Sequence, residues 1–215
     1  VIGAAGTTGR RITTLLAAPA HQPAATGRRA EQRAAFDELG VPTVLGDLEH
    51  PIDHAFEAFG GIDAVMFAAG SGGKTGKNKT ALVDHAGAIR AAVTALVHGA
   101  KRFVMLSSLN ADERSESGIK HYHRAKALAD RFIREMPEVF EGDGLDWTTV
   151  HPGGLTDDPA TGHVKITTEM LGEGRTSRDH VAAAMVGCLD RDNTIGKSFA
   201  LLEGDEPMND ALKAL

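Results

Sequence analysis

The chain has 215 residues, 42% of them hydrophobic, a formal net charge of −6 and a single cysteine, Cys188. That suits one domain with a full core, excludes an internal disulfide, and gives no electrostatic reason to expect a nucleic-acid partner. Cysteine usage fits a cytoplasmic setting, and no apolar run reads as a membrane span or signal peptide.

Val1 already lies inside an expected strand, so a few residues are expected to precede it. The strand runs into Gly3-Ala4-Ala5-Gly6-Thr7-Thr8-Gly9, three glycines at three-residue spacing, and then an amphipathic stretch with Ile12, Leu15 and Leu16. A turn of this kind between strand and helix lets the backbone approach a pyrophosphate, which sits on the free amides of the helix beginning near Thr8. Gly3, Gly6, Thr7, Thr8 and Gly9 are therefore candidate cofactor residues. The helix is expected over about 10–17 and a second strand near 24–27. That strand ends at Thr26-Gly27-Arg28-Arg29, where an acidic residue would select NAD. Two arginines favour a 2′-phosphate instead, so NADP is expected over NAD.

A polar helix is expected at 31–39 and a short strand at 43–45, followed by Asp47 and Leu48, placed to flank an adenine. Residues 62–70 read as a buried strand ending in Ala68-Ala69-Gly70, whose small side chains let a ribose pass close by. A polar loop then leads to a long helix over 80–98, which could pack in a homodimer. Residues 101–108 form the next strand, ending in Ser107-Ser108. A helix follows with Tyr122 and Lys126, and then a strand at 145–150. A helix at 181–189, a strand at 198–202 and a helix at 207–215 complete the order. Continuous apolar runs alternating with helices predict an α/β fold, a Rossmann-like doubly wound parallel sheet with helices on both faces. Ligands then gather at the carboxyl ends of the strands, where the glycine turn, Asp47, Gly70, Ser108 and the loop after Val150 all fall.

The quoted residues resemble the short-chain dehydrogenase/reductase superfamily, in its atypical branch of small NAD(P)-binding, epimerase-like proteins. The resemblance covers nearly the whole chain: the glycine turn, Lys101–Ser108, His121–Asp130 with its Tyr-x-x-x-Lys, Asp146–Thr156, and Arg178–Ala182. It implies Tyr122 as general acid/base and Lys126 as the cation that activates it and binds the nicotinamide ribose. Ser108, or alternatively Ser107, would hold the substrate oxygen, while Pro152, Gly153 and Gly154 would lie along the nicotinamide. Ser107 also counts among the expected cofactor contacts. Asp84 stands where many relatives have an asparagine of the active tetrad, and His151 where relatives often carry arginine.

Tyr122 is the only tyrosine, and its i,i+4 spacing from Lys126 puts both on one helix face. A tyrosine of ordinary pKa, about 10, needs such a cation to act near neutrality. Histidines at 50 and 54, and at 121 and 123, lack a third ligand at metal spacing, so no metal is expected. Ser107-Ser108 lacks the surrounding glycines of a nucleophile elbow. The sequence therefore reads as an NADP-dependent oxidoreductase or epimerase for a small carbonyl or sugar-derived substrate. The rivals are an NADP-binding redox sensor or interaction module with little catalysis, and a flavin- or quinone-type reductase.

Overall fold

A computed structural model describes residues 1–58, 61–73, 75–140, 144–169 and 172–215. Its helices are α1 (Thr7–Leu16), α2 (Ala34–Asp37), α3 (Asp53–Ala58), α4 (Lys77–Lys79), α5 (Ala86–Val97), α6 (Lys120–Val139), α7 (Arg178–Gly187) and α8 (Met208–Lys213). The strands are β1 (Ala25–Gly27), β2 (Thr43–Leu45), β3 (Ala64–Phe67), β4 (Arg102–Leu106), β5 (Asp146–Pro152), β6 (Gly154–Thr156), β7 (His163–Thr167), β8 (Arg175–Ser177), β9 (Lys197–Glu203) and β10 (Glu206–Pro207).

Val1 and Ile2 join two sheet segments. The amide of Thr26 donates to the Val1 carbonyl, and Ile2 exchanges hydrogen bonds with Met66 and Ala68 at 2.9 Å. The strand order is thus β2–β1–(Val1-Ile2)–β3–β4–β5–β9–β7–β10. All neighbours up to β9 are parallel; β7 runs antiparallel to β9, and β10 antiparallel to β7. The sheet is doubly wound and mostly parallel. Sequence reading missed the antiparallel edge, α3, and the small parallel pair β6–β8.

Side chains alternate across the sheet with period two. Val65, Phe67, Phe103 and Met105 pack with α3, α5 and α6, while Met66, Val104 and Leu106 pack with α1, α7 and α8. Both faces are covered, which explains why β4 is apolar at nearly every position and buried throughout.

Two expected helices differ in form. The segment expected at 31–39 is a 3₁₀ turn at Ala30–Gln32 followed by the four-residue α2. The long helix begins earlier than expected, and Lys77–Val97 is 21 residues, long and apolar enough by length and composition to cross a membrane. That corrects the reading that no stretch reaches this length. Its apolar character has a local cause: Ala88, Ala91, Ala92 and Ala95 form the face buried against the sheet. Within it, Thr80–His85 is π-helical. Such a segment shifts the angular register of side chains and often marks a functional position.

Candidate active site

The glycine turn forms where Ile2 leaves the sheet. Gly3 adopts φ +82°, and a Cβ there would stand 2.6 Å from the Ala69 backbone. A Cβ on Gly9 would stand 2.1 Å from the Gly3 carbonyl oxygen. The glycines therefore let α1 and the end of β3 close on one point. Gly6 is the extended residue before α1. The first amides of α1 have no carbonyl one turn earlier to accept them.

Above this point lies a cleft of about 810 Å³ at the carboxyl ends of the parallel strands. Gly3, Gly6, Thr7 and Thr8 line one wall, Ala68, Ala69 and Gly70 the floor, and Arg28, Asp47 and Leu48 one end. Asp84, Ser107, Tyr122 and Lys126 line the other end. The remaining expected residues lie elsewhere. Gly9 packs beneath the turn. Arg29 is exposed and outside the lining; its amide and that of Arg28 donate to Gln32 Oε1, which shapes the loop.

Ser108 is also outside the lining, whereas Ser107, the alternative to it, is within it. Strand alternation continues past Leu106: Ser107 donates its amide to the Val150 carbonyl and turns its side chain to the α5/α6 face. The Ser108 carbonyl meets His151 Nδ1 at 3.0 Å. Pro152, Gly153 and Gly154 do not line the cleft either. A Cβ on Gly153 would stand 2.4 Å from the Gly174 carbonyl oxygen, so this glycine allows two chain segments to cross. Leu155, just beyond, does line the cleft, as does Arg178 at the start of α7. Arg178 Nη1 is 3.0 Å from Asp157, which also pairs with Arg11. No sequence spacing distinguished Arg178 from a surface arginine, because its ion-pair partner Asp157 comes from a separate segment of the chain.

Tyr122 and Lys126 share one face of α6, with Lys126 Nζ 5.9 Å from the tyrosine ring centroid. Lys126 is buried; its ammonium donates to the Leu106 carbonyl at 3.0 Å and stands 3.4 Å from Asp84 Oδ1. Asp84 is fully buried, and its Oδ2 accepts the Ser71 amide at 2.9 Å. Burial works to lower the Lys126 pKa, but Tyr122, Asp84 and Asp130 outweigh it and hold the ammonium above its ordinary value. Asp84 reaches Lys126 from the π-helical segment.

Behind Ser107 lies a residue that sequence reading did not single out. Asp130, one turn beyond Lys126, accepts the Ser107 hydroxyl at 2.6 Å. His151 Nε2 stands 3.7 Å from the same carboxyl oxygen. The available signal was the i, i+4, i+8 spacing of Tyr122, Lys126 and Asp130. Among the described residues, no group of three or more His, Cys, Asp or Glu is placed to hold a metal ion.

The fold and cleft define a Rossmann-type dinucleotide-binding protein: a close-packed glycine turn, a helix N-terminus over the sheet's carboxyl edge, and a tyrosine–lysine pair in the same cleft. The match to a family model described as NAD(P)H-binding spans residues 3–192, and the chain belongs to that family. The short-chain dehydrogenase/reductase resemblance therefore holds, and the protein is an NAD(P)-binding member of an oxidoreductase- and epimerase-like family. It is 40% identical over 218 residues to YhfK, an uncharacterized sugar epimerase of Bacillus subtilis (strain 168), covering 100% of this chain and 98% of that one. A provisionally assigned NAD-dependent epimerase/dehydratase from Bacillus halodurans superposes with a TM-score of 0.89 at 36% identity, covering 100% of this chain and 97% of the other. The oxidoreductase YlbE from Lactococcus lactis superposes at 0.82 with 27% identity, covering 100% and 94%.

Proposed function

We propose that the protein is an NADP-dependent oxidoreductase or epimerase acting on a small carbonyl or sugar-derived substrate, with Tyr122 as acid/base. One observation carries this reading: Tyr122, buried Lys126 and Ser107 line the same cleft as the glycine turn. Gly3, Gly6, Thr7 and Thr8 would hold the pyrophosphate, and Ala68–Gly70 would lie against a ribose. Arg28, at the far end, supports a 2′-phosphate contact, whereas Arg29 lies off the cleft. Bound there, a nicotinamide supplies or takes up a hydride.

Tyr122 then gives a proton to the substrate oxygen, or removes one in the reverse direction. Lys126 stabilises the phenolate by its charge, and Asp84 keeps that ammonium in place. Ser107 orients the substrate oxygen. Leu155 and the half-exposed Ile119 add apolar wall, which suits a compact substrate.

The test has two arms. Nicotinamide fluorescence titrations with NADPH and NADH should show tighter binding of NADPH, and Arg28→Ala should narrow that difference. Tyr122→Phe should keep NADPH binding and lower turnover of a substrate found by carbonyl screening about a hundredfold or more. Equal affinity for both cofactors would remove the NADP preference. Unchanged turnover in the phenylalanine variant would remove the acid/base role.

A further inference from the structure

Asp130 is 8% exposed and outside the cleft lining, and it is hydrogen-bonded to Ser107, which lines the cavity. Its Oδ2 takes the Ser107 hydroxyl, while its Oδ1 is buried without a hydrogen-bond partner. We propose that Asp130 is a positioning residue that sets, through Ser107, whether the hydrogen bond offered to the substrate oxygen is a donor or an acceptor. The proposal rests on reading this cleft as a carbonyl–alcohol site.

The 2.6 Å separation accommodates an O–H···O bond in either direction. With Asp130 ionised, the Ser107 proton is committed to the carboxylate, and the lone pairs of Oγ face the cleft. Ser107 then accepts from a substrate hydroxyl. With Asp130 protonated on Oδ2, the acid donates to Oγ, and the serine proton is free to donate to a substrate carbonyl. A carbonyl accepts only, whereas an alcohol also donates, so a site that interconverts them gains from both polarities.

Burial favours a proton on Asp130, and the charges around it act against that. From α6 itself, Lys126 lies one turn before it and Arg134 one turn after. From the π-helical segment, Asp84 already balances Lys126 at 3.4 Å. From just after β4 comes the neutral Ser107, and from β5 comes His151, whose Nδ1 meets the Ser108 carbonyl and whose Nε2 lies 3.2 Å from Thr149 Oγ1 and 3.7 Å from Asp130 Oδ2. Oδ2 of Asp130 has the Ser107 hydroxyl and His151 for neighbours, but among the described residues its buried Oδ1 has no hydrogen-bond partner, and that oxygen is costlier as an ion than as an acid carbonyl. Burial accordingly raises the Asp130 pKa, opposed by His151, the Ser107 hydrogen bond, Lys126 and Arg134. A purely structural carboxylate would hold Ser107 in one polarity at every pH.

Infrared difference spectroscopy across a pH series reads the carboxyl group without a substrate. As pH is lowered, the wild-type protein should show a protonated-acid carbonyl band that appears above the ordinary aspartate range, is lost in Asp130→Asn and is displaced in Ser107→Ala. A spectrum unchanged by Asp130→Asn, from acid to neutral pH, overturns the proposal. If that variant does not fold, Ser107→Ala decides: an unmoved acid band overturns it, because a coupled hydroxyl cannot be removed silently. An NADPH titration of the wild-type protein, run alongside, tests the underlying reading separately. Absence of binding would sink the carbonyl–alcohol site, and leave the Asp130 band still measurable.

Discussion

Lys126 is the residue on which the site's electrostatics turn. A buried ammonium and a buried carboxylate at 3.4 Å are tolerable together and costly apart. Lys126→Met leaves Asp84 uncompensated and should cost about 3–5 kcal/mol in urea unfolding. Adding Asp84→Asn should recover a large part of that loss, and additive effects would show that the two charges do not interact. Asp130 carries the opposite expectation. Its folded pKa is raised above the ordinary 3.8, so the folded state holds the proton more tightly than the unfolded chain does. Its contribution is then greatest below that ordinary value and declines as pH rises through the folded value. Asp130→Asn cannot titrate, so its stability relative to wild type should grow with pH across that window and then level off. A pH-independent difference in unfolding free energy would contradict the raised pKa.

At the scale of elements, β4 shows both what a strand pattern reveals and what it hides. Its alternation was readable, and it decides that Ser107, not Ser108, faces α6. Applying it required knowing which face carried Tyr122, and only packing shows that. The start of β4 is held by a buried arginine that has no carboxylate partner among the described residues. Arg102 donates to the Asp146 and Cys188 carbonyls and to the hydroxyls of Thr148 and Thr194 at 2.5–3.0 Å, tying β4 to β5 and the end of α7. Arg102→Met removes these donors from a buried site and should destabilise by about 2–4 kcal/mol. A smaller loss in thermal or urea unfolding would mean that water replaces the guanidinium there. The glycine turn makes a second expectation at this scale. Gly9→Ala favours helix by propensity but drives a Cβ to 2.1 Å from the Gly3 carbonyl oxygen. The clash wins, since propensity is worth about 1 kcal/mol and overpacking about 1–3. The variant should be less stable and bind NADPH more weakly.

For the whole molecule, the cleft gathers residues from the turn after Ile2 and from segments following β1, β2, β3 and β4, together with α6 and α7. A ligand spanning it bridges both halves of the sheet and binds only the folded chain. Saturating NADPH at a hundred times its Kd should therefore raise unfolding free energy by about 2.7 kcal/mol. An unchanged melting temperature at that concentration would contradict occupancy of the cleft.

The sequence by itself determined the alternation of strands and helices, the glycine turn and the pairing of Tyr122 with Lys126. Each is written in local spacing: period two, period 3.6, or glycines where a backbone must pass another at contact distance. Only the tertiary structure decided that Asp130 stands behind Ser107, that Gly153 serves a chain crossing and that Arg178 reaches the cleft. It also decided that β7 closes the sheet antiparallel. Those facts depend on which segments, often far apart in the chain, share one side of the sheet. Side-chain neighbours across that distance are fixed by packing, which no local period records.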